Sequence, residues 1–187
     1  MKKFELTNEF IANRFGTKLF RIRALVEFGD VEAGELGGYV EKESNLGHDD
    51  NAWVYGNARV YGDALVYDNA RVYDNAWVYG DAQVSGNARV YGNARVCGDA
   101  RVCGNGDYAY AHGFGSVNRT TTFFRLKDGG VGVRCGCFYG TLAQFRDKIR
   151  ETHGETKKAQ EYLMLADLME LRFEEDENEV GNRKYVE

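Results

Sequence analysis

Proline is absent from this chain of 187 residues, which excludes polyproline or collagen-like architecture and any helix shaped by rigid kinks. Long apolar runs are missing too. None approaches the roughly 18–20 residues needed to span a bilayer, so a soluble protein is expected. Met1-Lys2-Lys3-Phe4-Glu5 places charge where a secretory leader would carry its apolar stretch, and the cytoplasm is the expected location. A basic excess is lacking, the formal net charge being −5, and this argues against general nucleic-acid binding. Cysteine is sparse, with 4 residues, and histidine sparser, with 3. Without a secretory context, Cys97, Cys103, Cys135 and Cys137 are expected to be free thiols.

Glycine is plentiful, and valine recurs at a fixed interval. From Val54 a valine returns every six residues through Val60, Val66, Val72, Val78, Val84, Val90, Val96 and Val102. Two and three residues after each stands a pair such as Gly56-Asn57, Gly62-Asp63, Asp68-Asn69 or Gly80-Asp81. Gly, Asn and Asp tolerate left-handed backbone angles that cost other residues about 1–2 kcal/mol, so these pairs predict a corner at every sixth residue. An alanine follows each corner, two residues before the next valine, as in Ala58, Ala64 and Ala70. Alternation then sends Ala and Val inward and the residue between them outward. A period of six containing a period of two is incompatible with an α-helix.

The repeat resembles the left-handed parallel β-helix of the hexapeptide-repeat superfamily, which includes many acyltransferases and the γ-class carbonic anhydrases. That resemblance implies three hexads per coil and the left-handed sense. It stacks Val54, Val72 and Val90 on a first face, Val60, Val78 and Val96 on a second, and Val66, Val84 and Val102 on a third. Val40 and Leu46 read as an irregular first coil, set off from Val54 by a two-residue bulge between Gly47 and Asp50.

The flanks follow other rules. Leu19 to Phe28 alternates as a strand, with Phe20, Ile22, Ala24, Val26 and Phe28 on one side, and is expected to cover the first coil. Thr120 to Leu126 and Val131 to Phe138 predict a hairpin turning at Lys127-Asp128-Gly129-Gly130. Thr141 can cap a helix from Leu142 to Thr152, and a second helix from Glu155 to about Phe173 places Tyr162, Ala166, Met169 and Phe173 on one face. The fold class is therefore mainly β: a left-handed parallel β-helix with an N-terminal capping strand and a small C-terminal α+β domain. The expected divisions are residues 1–39, 40–114, 119–175 and an acidic tail over 176–187.

The order of segments is similar to that of hypothetical hexapeptide-repeat proteins of phages and prophages. The residues that carry this are Leu19-Phe20-Arg21-Ile22-Arg23-Ala24-Leu25, Gly37-Gly38-Tyr39-Val40-Glu41, Asn51-Ala52-Trp53-Val54-Tyr55 and Arg134-Cys135-Gly136-Cys137-Phe138. It implies a protein working inside a bacterial host.

Catalytic signals are thin. Hexapeptide acyltransferases use a histidine near a subunit cleft to deprotonate the acceptor, and the positions that could serve are His48, in the bulge, and His112, just after the last coil. A γ-class zinc site needs histidines projecting from the prism, and the repeat body has none. Cys135-x-Cys137 would point both thiols to one side of a strand, but such a pair falls short of a zinc ligand set, and buried thiols are expected there. Cys97 and Cys103 fall on different faces, which argues against a disulfide between them. No metal and no cofactor is expected.

The prism's outer surface carries more information. On the first face stand Trp53, Tyr55, Arg71, Tyr73, Arg89 and Tyr91; on the second, Arg59, Tyr61, Trp77, Tyr79 and Arg95. Such ladders can stabilise stacked strands, by roughly 0.2–1 kcal/mol per pair. They also suit a subunit interface or an anionic ring-bearing ligand, through stacking, cation–π attraction and bidentate recognition of phosphate. The expected function is a non-enzymatic phage-type binding protein, and the resemblance to left-handed β-helix proteins implies a homo-oligomer such as a trimer. The resemblance to phage proteins implies that the protein would inhibit bacterial antiviral defence by sequestering a nucleotide signal or blocking a host immune protein. An acyltransferase and a structural assembly protein are the alternatives.

Overall fold

The computed structural model describes residues 1–115 and 118–174; the acidic segment 176–187 lies outside them. Three strands open the chain, β1 (Phe4–Ala12), β2 (Lys18–Ala24) and β3 (Leu36–Val40). Two-residue strands β4 to β12 follow at Trp53–Val54, Arg59–Val60, Leu65–Val66, Arg71–Val72, Trp77–Val78, Gln83–Val84, Arg89–Val90, Arg95–Val96 and Arg101–Val102. Then come β13 (Tyr108–Phe114), β14 (Arg119–Arg125), β15 (Val131–Cys135), β16 (Phe138–Thr141), α1 (Leu142–His153) and α2 (Lys157–Phe173).

The short strands wind a parallel β-solenoid of about four turns. Its faces are the three that the resemblance implies: β4-β7-β10, β5-β8-β11 and β6-β9-β12. Every repeat valine and alanine is fully buried, each valine contributing about 1.5–3 kcal/mol by leaving water. The corners explain the choice among their residues. Asp68 and Asp74 adopt φ of 56° and 60°, and their carboxylates accept the Gly86 and Gly92 N–H groups of the next coil at 3.0 Å. Aspartate there both turns the chain and holds the corner below it. Gly86, with φ of 57°, lies so close to the Cys103 carbonyl that any Cβ would collide with it.

The first coil is irregular for the reason that its spacing implied. Val40 stacks on Val60 and Leu46 bridges to Val66, twenty residues on in each case rather than eighteen. The excess sits in the loop after Gly47, where Asp50 takes a φ of 53°. Asn45, buried in this coil, donates from Nδ2 to the Gly62 and Ala64 carbonyls at 3.0 and 2.8 Å.

The N-terminal region is a hairpin rather than a single strand. β2 pairs antiparallel with both β1 and β3, and β3 joins β5, so the second face extends to six strands in the order β1-β2-β3-β5-β8-β11. β2 stops at Ala24, short of the expected Phe28. A register shift between Arg21 and Arg23 breaks its alternation, so that Leu19, Ile22 and Ala24 are buried while Phe20, Val26 and Phe28 are only partly so.

Beyond the solenoid the expected hairpin is the centre of a four-stranded antiparallel sheet, β13-β14-β15-β16. β14 is a wall shared by two cores. Phe124 packs into the solenoid, whereas Phe123 packs with Phe145, Ile149, Tyr162, Ala166 and Met169 of the helices. The same strand and the turn after it close the last coil: Thr122 Oγ1 accepts the Arg95 N–H at 3.0 Å, and Lys127 N–H donates to the Asp99 carbonyl at 2.9 Å. Helix α1 starts where Thr141 and Gln144 cap each other's backbone N–H groups. None of the described helices is long and apolar enough to cross a membrane.

All four cysteines are free. Cys97 points outward, as its position requires, yet it is buried under the C-terminal sheet. Cys135 ends β15 half-buried, and Gly136, at φ 58°, turns the chain so that Cys137 is exposed. The expected pair of buried thiols on one side of a strand is therefore not formed.

Candidate functional site

The two outer ladders have different fates. On the first face Trp53 is fully buried, with Phe28 and Phe4 edge-on to its indole at 5.3 and 6.2 Å. Gly37 allows this approach, since a Cβ there would sit 2.7 Å from the indole Cζ2. The next rungs are occupied from the N-terminal loop. Tyr55 donates to Asp30 at 2.9 Å and Arg71 pairs with the other Asp30 oxygen at 2.7 Å. Burial, reinforced by that hydrogen bond, pushes the Tyr55 phenol up to about 12. Only the lower rungs, Tyr73, Arg89 and Tyr91, open into a cleft.

The second face keeps its ladder accessible. Tyr61 and Tyr79 stack at 5.0 Å with rings nearly parallel. Trp77 lies between the guanidinium groups of Arg59 and Arg95, at 5.0 and 4.6 Å. Three elements build a groove of about 700 Å³ over these residues. The solenoid supplies the floor with Tyr61, Trp77, Tyr79 and Arg95. The β1–β2 turn supplies Arg14 and Phe15, and the C-terminal sheet supplies His112, Arg119, Arg134 and Cys137.

The electrostatics of the groove are one-sided. None of its described lining residues is an aspartate or glutamate. Elsewhere Arg21, Arg23, Arg71, Arg125, Arg146 and Arg150 lie in salt bridges. Among the described residues Arg14, Arg95, Arg119 and Arg134 form none. Arg119 lies across Gly136, where a side chain would displace it. Such a surface can accept an anion through charge-assisted hydrogen bonds and a planar ring through stacking.

The histidines are spread apart. His48 stacks on Phe4 at 4.5 Å, accepts the Lys3 N–H on Nδ1 at 3.2 Å and lies 3.0 Å from Glu43 through Nε2. With Nδ1 an acceptor, Nε2 carries the hydrogen and donates to Glu43, a bonding pattern that anchors the N-terminal strand. His112 is exposed at the groove wall, its Nδ1 2.8 Å from Thr120 Oγ1. His153 packs on Tyr162 in the C-terminal domain. The described residues contain no cluster of three or more His, Cys, Asp or Glu able to hold a metal ion.

Arg14, Phe15, Arg119 and Arg134 were not distinguished as site residues by spacing. Asn13-Arg14-Phe15-Gly16 did carry a turn signal, with Gly16 at φ 82°, that would have marked the hairpin tip.

Fold and repeat together define a β-solenoid repeat protein. The family model described as YdcK beta solenoid repeat matches residues 52–68, 64–80 and 82–98, so the chain is similar to that repeat over the regular coils. No curated protein matches it.

Proposed function

We propose that the protein is a non-enzymatic binding protein that holds an anionic, ring-bearing ligand of the nucleotide type in the groove on the second face. The carrying observation is the concentration of Arg14, Arg95, Arg119 and Arg134 around Trp77, Tyr61, Tyr79 and Phe15, with no carboxylate among the described lining, in a chain whose net charge is −5. Phosphate oxygens would meet the guanidinium groups, and a base would stack on the exposed Phe15 ring. The similarity to phage and prophage hexapeptide-repeat proteins supports a role in sequestering a nucleotide signal of bacterial antiviral defence.

The protein carries its own probe. Trp53 is sealed in the core while Trp77 lines the groove, so quenching of tryptophan fluorescence by an added ligand reports on the groove. Titration with ADP, adenosine and pyrophosphate should give saturable quenching by ADP, weaker binding of the two fragments, and loss of the response in Arg95→Gln. An unchanged spectrum with millimolar ADP and with cyclic and linear dinucleotides would sink the proposal.

A second reading rests on His112, which lines the same groove. As an acyltransferase base it would give acyl-coenzyme A turnover abolished by His112→Ala. Sequestration predicts no turnover and ligand binding that survives the substitution.

A further inference from the structure

A second cleft, of about 670 Å³, lies where the first face of the solenoid meets the end of α2. Its lining shares no residue with the groove on the second face. The rungs left open below Arg71 form one wall. Tyr73 and Tyr91 stack there at 5.2 Å, and Tyr110 of β13 stands edge-on to Tyr91 at 5.8 Å. Two arginines from different parts of the chain border it, Arg89 of the solenoid and Arg172 of α2. Asn105 contacts the backbone of the first and the side chain of the second: its Oδ1 accepts the Arg89 backbone N–H at 2.9 Å, and its carbonyl accepts from the Arg172 guanidinium at 3.5 Å.

Among the described residues neither arginine is in a salt bridge, and none of the described lining is acidic. Asp74, at the corner beside Tyr73, has one carboxylate oxygen committed to the Gly92 N–H. The phenols act as hydrogen-bond donors rather than anions. Burial and the neighbouring tyrosines hold Tyr73 and Tyr110 above the ordinary range. Two positive groups bordering one cleft, with neutral hydroxyl donors around them, are complementary to a compact anion with several acceptor oxygens.

We infer that this cleft is a phosphate-binding site, separate from the groove, in which Arg89 and Arg172 grip a phosphate group and the tyrosines surround whatever carries it. Phenol hydroxyls, the Asn105 amide and the ring of Tyr91, which is 40% exposed, suit a hydroxylated saturated ring, so the phosphate is either free or borne on a sugar. This assignment stands whether or not the second-face groove binds a nucleotide.

Isothermal titration calorimetry with inorganic phosphate, glucose 6-phosphate and glucose tests it on the full chain. Saturable binding of both phosphates and none of glucose is expected. Arg89→Gln and Arg172→Gln should each weaken binding by about tenfold or more, the scale of one charge-assisted hydrogen bond. Both side chains are exposed, and unchanged thermal unfolding would show that the variants fold. Tighter binding of the sugar phosphate places the carrier in the cleft, and equal binding assigns it to phosphate alone; either supports the site. Arg95→Gln disables the other groove, so the titrations are repeated in that background, where saturable binding to this cleft should remain. An absence of heat with millimolar phosphate and sugar phosphate, binding in the Arg95→Gln background that survives Arg89→Gln and Arg172→Gln together, or binding lost in Arg95→Gln alone would overturn the inference.

Discussion

Trp53 and Trp77 both open a two-residue strand with the side chain directed outward, and what lies over each decides its role. Over Trp53 the N-terminal segment has laid Phe4 and Phe28; beside Trp77 stand two guanidinium groups and a groove. Trp53→Ala should therefore cost about 3–5 kcal/mol of stability. Trp77→Ala should cost about 1–2 kcal/mol, for two cation–π pairs, while abolishing ligand binding. Denaturant unfolding of the two variants beside wild type measures the contrast; equal losses would mean that Trp77 is as structural as Trp53.

Lys3 belongs to the same scale. Its ammonium donates to the carbonyls of Asp49, Asp50 and Ala52, at 3.3, 3.3 and 2.9 Å, and lies 4.7 Å from the Phe28 ring centre. Burial outweighs the nearby carboxylates and pulls its pKa from 10.5 to about 8. Between those values the unfolded chain binds more protons than the folded one, so this group makes stability rise with pH across that window. The unfolding free energy of wild type minus that of Lys3→Met should become more positive from pH 7.5 to pH 10. A difference that falls over the same range would show that the carbonyls and carboxylates hold the ammonium more strongly than burial opposes it.

Among elements, the β1–β2 hairpin has a tip that does little for stability and faces the groove. Phe15 is 91% exposed, and the turn is held by Asn13, whose Oδ1 accepts the Phe15 and Thr17 N–H groups at 2.8 and 3.0 Å. Phe15→Ala and Arg14→Ala should each weaken ADP by about three- to tenfold in the Trp77 titration, for one stacking or ionic contact, with unfolding unchanged. Asn13→Ala, which leaves both side chains but frees the turn, should weaken it as well. If none of the three alters the titration, the tip takes no part in binding.

The same hairpin shows what could be read in advance. Inward residues that repeat without interruption announce an element, which is why the Val and Ala positions marked the solenoid strands, with the hexapeptide-repeat resemblance grouping them on three faces, and why helical spacing after Thr141 marked α1. Phe4, Leu6 and Phe10 also alternate, but Asn8 breaks the apolar series and the pairing slips between Leu6 and Phe10, so β1 was missed. β13 was hidden by its glycine and β16 by its length of four residues. The groove was half legible. Its floor follows from the repeat, whereas Arg14, Arg119 and Arg134 reach it only because flanking strands fold back over the second face, a tertiary arrangement that no local period encodes.

At the scale of the whole molecule, the covering of the ladders bears on how copies would associate. The N-terminal segment occupies the upper first face, the hairpin and C-terminal sheet flank the second, and β14 closes the last coil. Stacking end to end would have to displace one of these caps, so filaments are not expected. The third face exposes one large apolar residue of the solenoid strands, Leu65. Helix α2 exposes more: Met164, Leu168 and Leu171 are 70%, 54% and 67% accessible and fall on one stripe at helical spacing. Lys157 and Lys158 begin that helix, while Glu174 follows its last turn, so an antiparallel pairing with a second copy would set opposite charges together as well as burying the stripe. One helix of this length is about 25 Å long and offers less than an ordinary stable interface, so the pairing should be weak and concentration-dependent. Sedimentation equilibrium should show a monomer–dimer exchange in the micromolar range, abolished by Leu168→Glu and untouched by Leu65→Glu. Dissociation by Leu65→Glu instead would move the contact to the prism face, and a monomer at every concentration would leave α2 without a partner among copies of its own chain.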